Sequence, residues 1–525
     1  MTTVRRPGRI QKIAYDDTPL TSRKPDLDAR IGWLLAMSRL HHPDSDMADG
    51  RRFVLALTAA GCSASRSLVS RWESGEIPIS YEGMSGYERA LGFEPGRISS
   101  LTGYMRAAMP GMKARVVRPQ LDPAGKRFAL RLDELIELAE DGHARATHWQ
   151  ELGWHLAAVP LVHLRAHTWE TLCHRVVNTL PRSVKVPYRQ YSTAALNLAS
   201  VSRAQDFLTA AVADHLNTPG VQVLTNPIGL LDQLPTRAAA KIVLDLVEDP
   251  PSDAVFALAV WVAAQKVSRG DFSADERSRL DMIVLRMWRA NPVKTADELA
   301  ELIASLPEGM RSTLTDAAAK AGRRRLEYVV ETGEELGSGM ARGLSYDVAE
   351  AARARVPGEP TYDEDRMLVR LVREALFHRD SERRHLASLL ISASPFGDAI
   401  TDELLGLLAA PNAPRLVRTR AATLVRYLSG DTHRLRMLGL VDDSSDHVGT
   451  VIAQGIGHMT FTAFSDQVIR ASLKDEWSPR ERAKMYALGM SGSPGLETIL
   501  RSGQAPEWQK TAARWWVSQG PAVRE

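Results

Sequence analysis

The sequence is short of several features that would settle its class at once. Two of its 525 residues are cysteine, Cys62 and Cys173. That is too few for a disulfide framework, and both read as reduced, semi-buried small apolar residues. The longest unbroken apolar run, Ala254–Ala264, has 11 residues, whereas a membrane span needs about 20, so no membrane segment is expected. The opening stretch MTTVRRPGRIQKIAYDD is basic, but no apolar signal-peptide core follows it, and a cytoplasmic protein is expected. Catalytic signatures are missing too: G-x-x-x-x-G-K-[ST], H-E-x-x-H, G-x-S-x-G and paired C-x-x-C do not occur. Gly125-Lys126 is followed by Arg127 and lacks the earlier glycine of a phosphate loop. Gly337–Gly343 is glycine-rich but follows no strand and reads as a loop. Neither an enzyme nor a cofactor is expected.

What is present is ordinary in bulk and uneven in distribution. With 44% apolar and 25% charged residues, the chain reads as soluble and globular, with room for about three or four domains of roughly 150 residues. Residues 1–131 hold 21 Lys+Arg and 13 Asp+Glu, a net of +8, which leaves −5 on the other 394 residues of a +3 chain. A basic head suggests a polyanion partner for the head alone, and the acidic body points to protein or small-molecule partners.

Strand-like alternation is nearly absent. Ala, Leu, Arg and Glu recur at three- and four-residue spacing from Leu27 almost to the end, so an all-α fold is expected. Breaks fall at 110–123, 333–343 and 357–360.

Residues 51–92 carry the sharpest pattern. Arg51–Ala60 reads as a short helix with Val54, Leu55 and Leu57 apolar, ended by Gly61. Ser65 caps a second helix, Arg66–Ser74, with Leu68, Val69 and Trp72 inward and Arg66, Ser67, Ser70 and Arg71 outward; Gly75 closes it. A third helix starts at Ser80 with Met84, Tyr87 and Leu91 as its stripe. Two short helices joined by a Gly-containing turn, the second with a small-polar and Arg outer face, suit insertion into a major groove.

The run Ser65-Arg-Ser-Leu-Val-Ser-Arg-Trp-Glu-Ser-Gly75 resembles the recognition helix of the XRE (Cro-type) helix-turn-helix family, with its S-x-x-[TV]-[IV]-S-x-[WY]-E-x-G pattern. The resemblance covers about 80 residues and implies a first helix at Leu27–Leu40, with Ile31, Leu34 and Leu35 facing the core, and closing helices between Ser80 and Ala108. Three residues, Cys62, Ser63 and Ala64, stand between Gly61 and Ser65 where the family has one or two, and His41–Gly50 is longer than usual. The resemblance implies roles position by position. Ser65 offers hydroxyl or amide to phosphate, Arg66 and Ser67 reach base edges, and Ser70 and Arg71 touch bases or phosphates. Trp72 is core, and Glu73 pairs with an Arg such as Arg51 or Arg52 or with a helix end.

Basic segments flank this module. Arg5, Arg6, Arg9 and Lys12 form an N-terminal arm suited to phosphate or minor-groove contact. Lys113, Arg115, Arg118, Lys126, Arg127 and Arg131 line a linker.

Further on, stripes recur at Leu368, Leu371, Val372 and Ala375, at Leu386, Leu389 and Leu390, and at Leu416, Ala421, Leu424, Val425 and Leu428. Residues 366–460 resemble degenerate HEAT repeats, and W-Q-E-L-G at Trp149 resembles the opening of a tetratricopeptide repeat, with Arg165 where a small residue belongs. Six of 14 histidines, His143, His148, His155, His163, His167 and His174, lie within 32 residues. They read as surface or interfacial groups, with a pH sensor or a metal site as the sharper alternatives.

The expected organisation is a basic arm (1–26), a helix-turn-helix domain (27–108), a basic linker (109–128), a helical-repeat lobe (129–335), a Gly/Pro connection (336–360) and a HEAT-like lobe (361–525), that is, a helix-turn-helix domain followed by a helical-repeat solenoid. The expected function is a sequence-specific transcriptional regulator binding double-stranded DNA as a homodimer, nucleoid-associated when bound, with a protein or small-molecule effector on the body and no metal. By analogy it looks like regulators of high-GC bacteria. Two alternatives stand beside it: a protein-interaction scaffold tethered to DNA, and a metal-dependent enzyme centred on 143–174.

Overall fold

A computed structural model describes residues 12–22, 24–108, 119–159, 161–290, 299–320, 324–358, 362, 364–410 and 412–525. Among them the secondary structure is helical, without a strand; the only extended pairing is at isolated bridge residues, among them Ser183 with Val523. The expected all-α class is what forms. No helix among the described residues is long and apolar enough to cross a membrane.

The chain divides into two compact units that do not follow its linear order. One comprises Met1–Pro119, Leu336–His378 and Glu382–Thr460; the other comprises Gln120–Glu335, Arg379–Ser381 and Phe461–Glu525. Segment 361–525 is thus shared between the units.

The first unit begins with α1 (Leu27–Leu40), α2 (Gly50–Ala59), α3 (Arg66–Glu73), α4 (Tyr81–Ala90) and α5 (Ser99–Ala108). The first four start on short polar caps: Asp26, Asp49, Ser65 and Ser80 each accept a backbone N–H from the first turn. The fifth starts on a carboxylate from a neighbour, because buried Glu88 accepts the amides of Gly96, Ile98 and Ser99.

Helix α1 is buried on every face, polar residues included, as a helix sandwiched between two layers must be. On one side it meets α3 at backbone distance. A Cβ on Gly32 would lie 2.8 Å from both the Gly75 amide and the Trp72 carbonyl oxygen, and Gly75 itself turns at φ +72°.

On its other side α1 meets helix Arg366–Phe377. Arg30 donates from Nη1 and Nη2 to Glu374 at 2.8 and 2.7 Å and from Nε to Asp16 at 2.7 Å. Trp33 Nε1 donates to the Asp365 carboxylate at 2.9 Å, and its ring stacks on Phe396. His41 Nε2 lies 2.6 Å from Tyr362 Oη.

Residues 12–22, within the expected basic arm over 1–26, form a strap across the same helix. Arg370 binds the carbonyls of Asp16 and Thr18, His378 Nε2 lies 2.8 Å from the Leu20 carbonyl, and Arg383 donates to Ser22 O at 2.7 Å. Asp16, fully buried, anchors the strap through Arg30. The groups that hold the backbone of residues 16–22, Arg370, His378 and Arg383, lie some 350 residues further along.

Asp365 caps Arg366–Phe377 by accepting the Leu368 amide at 2.9 Å. Its burial pushes the carboxyl up to about 6 from an ordinary 3.8. A raised carboxyl pKa means that stability is full below about 3.8 and declines as pH rises through about 6. Asp365→Asn keeps a capping oxygen and should abolish that decline, on the order of 2 kcal/mol, in denaturation curves collected from pH 4 to 7.

The later stripes are buried as expected, except that Leu416 is half-buried. One expectation is overturned. Gly337–Gly343 is not a loop, because Ser338–Arg355 is an 18-residue helix. Ala341, Ser345, Val348, Ala349 and Ala352 form a continuous buried stripe, and its packing outweighs the weak helix propensity of two interior glycines.

The second unit is a succession of helices from Lys126–Asp141 to Arg324–Thr332, completed by four helices between Ala463 and Gln519. One apolar core runs through it from Phe128 to Val329.

Candidate nucleic-acid interface

Helices α2 and α3 are joined by a turn that Gly61 opens at φ +76°. The extra turn residue is folded in. The Cys62 amide donates to Leu57 O at 2.8 Å, and the side chain packs so close to Gly86 that a Cβ there would lie 2.4 Å from Cys62 Cβ. Arg89 Nε donates to Ala60 O at 2.8 Å, tying the end of α2 to α4. Inward on α2 are Phe53 and Leu57, and Phe53 meets Tyr87 edge-to-face at 4.8 Å. Leu55 points out and is 70% exposed.

Helix α3 has two distinct faces. Val69, Trp72 and Glu73 are buried and Leu68 half-buried. Ser65, Arg66, Ser67, Ser70 and Arg71 are all exposed. Ser65 Oγ accepts the Leu68 amide at 3.1 Å, which leaves the hydroxyl proton free to donate. Arg66 lies over the start of α2, with Nε 3.4 Å from where a Gly50 Cβ would stand. Arg71 pairs with Glu76 at 2.9 Å, but both are about half exposed, and such a pair yields easily to a competing phosphate.

Glu73 does not pair with Arg51 or Arg52. Its partner is Arg39 near the end of α1, which donates from Nε and Nη2 at 2.6 and 2.8 Å, and Tyr87 Oη adds a third bond at 3.2 Å. Burial opposes the Arg39 charge, but Glu73 outweighs it and raises the guanidinium pKa. Arg51 and Arg52 stay at the surface, where Arg52 meets Asp46. Sequence reading missed Arg39 because a cation in the last turn of a helix has an ordinary explanation in the helix dipole.

Arg5, Arg6 and Arg9 lie outside the described residues, as do Lys113, Arg115 and Arg118. Lys126 and Arg127 are exposed at the start of helix Lys126–Asp141. Arg131 is held by Glu151 at 2.6 Å and Glu134 at 2.7 Å.

The histidine window does not converge. His148 Nδ1 accepts the Arg145 amide, buried His155 lies tilted against the Phe128 ring at 4.6 Å, His174 lies 3.4 Å from Asp214, and His143, His163 and His167 are exposed. Among the described residues no group of three or more His, Cys, Asp or Glu is placed to hold a metal ion. Both cysteines are free thiols. Burial pushes Cys173 up to about 12, far from nucleophilic use.

Compared with protein-family models and with curated proteins, the chain matches none.

Proposed function

We propose that the protein is a sequence-specific double-stranded DNA-binding regulator whose α2–α3 pair acts as a helix-turn-helix of the XRE type, with α3 in the major groove. The observation that carries this reading is the division of α3: five small-polar and arginine side chains turned outward together on a helix whose back is clamped to α1. An α-helix is about 10–12 Å across with its side chains and fits a major groove about 12 Å wide. Base reading needs a donor fixed in place, and the Glu73–Arg39 pair with the Gly32–Gly75 contact fixes it. Arg66 at the first turn is the base-reading candidate. Ser65, Ser67, Ser70 and Arg71 serve phosphate or base edges, and Arg5, Arg6 and Arg9 add sequence-independent phosphate contact. One α3 covers few base pairs, so a homodimer on two half-sites about 34 Å apart is part of the reading.

The test is selection of a preferred duplex from a random library, followed by variants. Arg66→Ala should cost about 1–3 kcal/mol on the selected site and little on random duplex. Neutralising Arg5, Arg6 and Arg9 together should weaken every duplex alike and flatten the salt slope. Equal losses on selected and random DNA for Arg66→Ala would remove the base-reading role.

A further inference from the structure

All 11 tryptophans of the chain lie among the described residues, and one of them, Trp477, is exposed, at 60%. An indole is among the largest apolar surfaces a side chain can bury, so leaving it in water needs a cause. Trp477 stands just before Ser478, whose Oγ caps helix Pro479–Ser491 by accepting the Glu481 amide at 3.2 Å. An apolar residue in that place is ordinarily covered by another at the fourth helical position. Here the fourth position is Arg482, which donates instead to the carbonyls of Val221 and Gln222 at 3.2 and 3.3 Å. The ring therefore stays uncovered.

The backbone leading into the ring is nonetheless held firmly. Lys484, without solvent contact, donates from Nζ to the Ser472 carbonyl at 2.7 Å. Buried Glu481 accepts the Lys474 amide at 2.7 Å, serving the loop where a capping box would turn it back to Ser478. From helix Glu507–Gln519, buried Gln509 donates to the Lys474 carbonyl at 2.9 Å, and Trp508 Nε1 donates to the Asp475 carbonyl at 2.7 Å. Buried polar side chains are thus committed to fixing residues 472–475, directly ahead of an exposed indole. A tryptophan on a loop already fixed loses little freedom when a partner covers it, which is what an anchor of a protein interface requires.

The chemistry beside the ring selects the partner. Asp475 and Glu476 immediately precede it, are exposed, and make no side-chain hydrogen bond or ion pair among the described residues, while Lys474 is the loop's one cation. Stacking on a nucleic-acid base, or sinking into an anionic membrane surface, would bring phosphate against these carboxylates. A second copy meeting loop to loop would bring two such carboxylate pairs together. A basic protein segment meets them with opposite charge, in keeping with the net −5 of residues 132–525. We propose that Trp477, with Asp475 and Glu476, is a docking point for a basic segment of another protein, a stretch of lysine or arginine carrying an apolar residue that covers the ring. The indole supplies contact area, and the carboxylates orient the segment and turn anions away. The site stands independently of what α3 reads and is tested separately from it.

The test presents a phage-displayed library of random peptides to the immobilised full-length protein, with Trp477→Ala as the counter-target. Selection should enrich peptides in which lysine and arginine flank an apolar residue. An enriched peptide, synthesised, should bind the parent saturably in calorimetry and bind Trp477→Ala at least roughly tenfold more weakly. Asp475→Asn/Glu476→Gln should weaken it as well, and added salt should bring the parent toward that variant. Phe464→Ala, which removes another exposed ring, and Arg501→Gln, which breaks an exposed pair with Glu497, should leave it unchanged. Trp477→Ala, at an exposed position, should melt with the parent; if it melts early, Asp475→Asn/Glu476→Gln takes its place as counter-target. Enrichment of uncharged or acidic peptides, affinity unaltered by Trp477→Ala, or no peptide that prefers the parent overturns the proposal. So does a Trp477→Ala variant that loses self-association or random-duplex binding, which would give the ring to a second copy or to nucleic acid instead.

Discussion

Replacing Glu374 with alanine is expected to remove about 3–5 kcal/mol from the stability of the first unit, because a buried charge cluster then loses its centre. Three guanidiniums converge on this carboxylate: Arg30 from α1, Arg370 one turn back on its own helix at 2.9 Å, and Arg383 at 2.9 Å. Glu374 and Arg30 are both essentially without solvent contact, so water cannot replace what is lost. Arg30 would keep Asp16 alone, and the strap over 12–22 would loosen. Chemical denaturation should show the loss, and hydrogen exchange should place it in α1 and Arg366–Phe377. The exposed pair Arg501–Glu497 should scarcely matter when broken. A loss below about 1 kcal/mol for Glu374→Ala would mean that the cluster does not hold the unit together.

The same cluster sets the acid limb. Burial works against ionisation of Glu374, but Arg30 and Arg383 outweigh it and hold the carboxyl well below its ordinary 4.5. Asp16 is likewise held below 3.8, with Arg30 and Thr18 overcoming burial. A depressed carboxyl contributes stability that is fully present above its unfolded pKa and lost as pH falls through its folded one. The parent protein should therefore lose stability steeply on acidification below about pH 4. Glu374→Gln should start lower and fall less, because glutamine has no proton to take up.

Short-range features of the candidate interface were legible in the sequence, and long-range ones were not. Ser65, Gly75, Val69 and Trp72 obey rules that act within one or two turns, and they occupy the places those rules assign. Leu55 shows the limit, since an apolar residue next to Val54 reads as core yet points to solvent, while Phe53 takes the buried position. The second face of α1 was beyond any window: Arg30 and Glu374 are 344 residues apart, and an arginine within an apolar helix gives no sign of which carboxylate it will meet. The glycines of 337–343 failed for a related reason, because propensity is local and the stripe that overrides it is tertiary.

Residues 1–119 alone are expected not to fold cooperatively, although they contain all five helices and the whole α2–α3 pair. Helix α1 has no solvent-facing side to lose contacts from. Without 336–460, Trp33 loses Asp365 and Phe396, His41 loses Tyr362, and Arg30 loses Glu374. At α5 and just before it, Tyr104 loses His385 and Arg97 loses the Ala393 carbonyl, 3.0 Å away. Each large apolar side chain returned to water costs roughly 1.5–3 kcal/mol, and a domain has a margin of only about 5–15 kcal/mol, less when it is small. Two aromatic faces plus the ionic cluster consume that margin. Circular dichroism of 1–119 should therefore show reduced helix and a broad, featureless melt. Joining 1–119 to 336–460 by a flexible linker should restore a sigmoidal melt and, with it, the duplex preference of the full chain. Helix α3, proposed to read DNA, would then be inseparable from the helices that hold α1, and anything that shifts those helices would be felt at Arg66. A cooperative melt of 1–119 alone, with duplex affinity equal to that of the full chain, would show instead that α1 is self-sufficient.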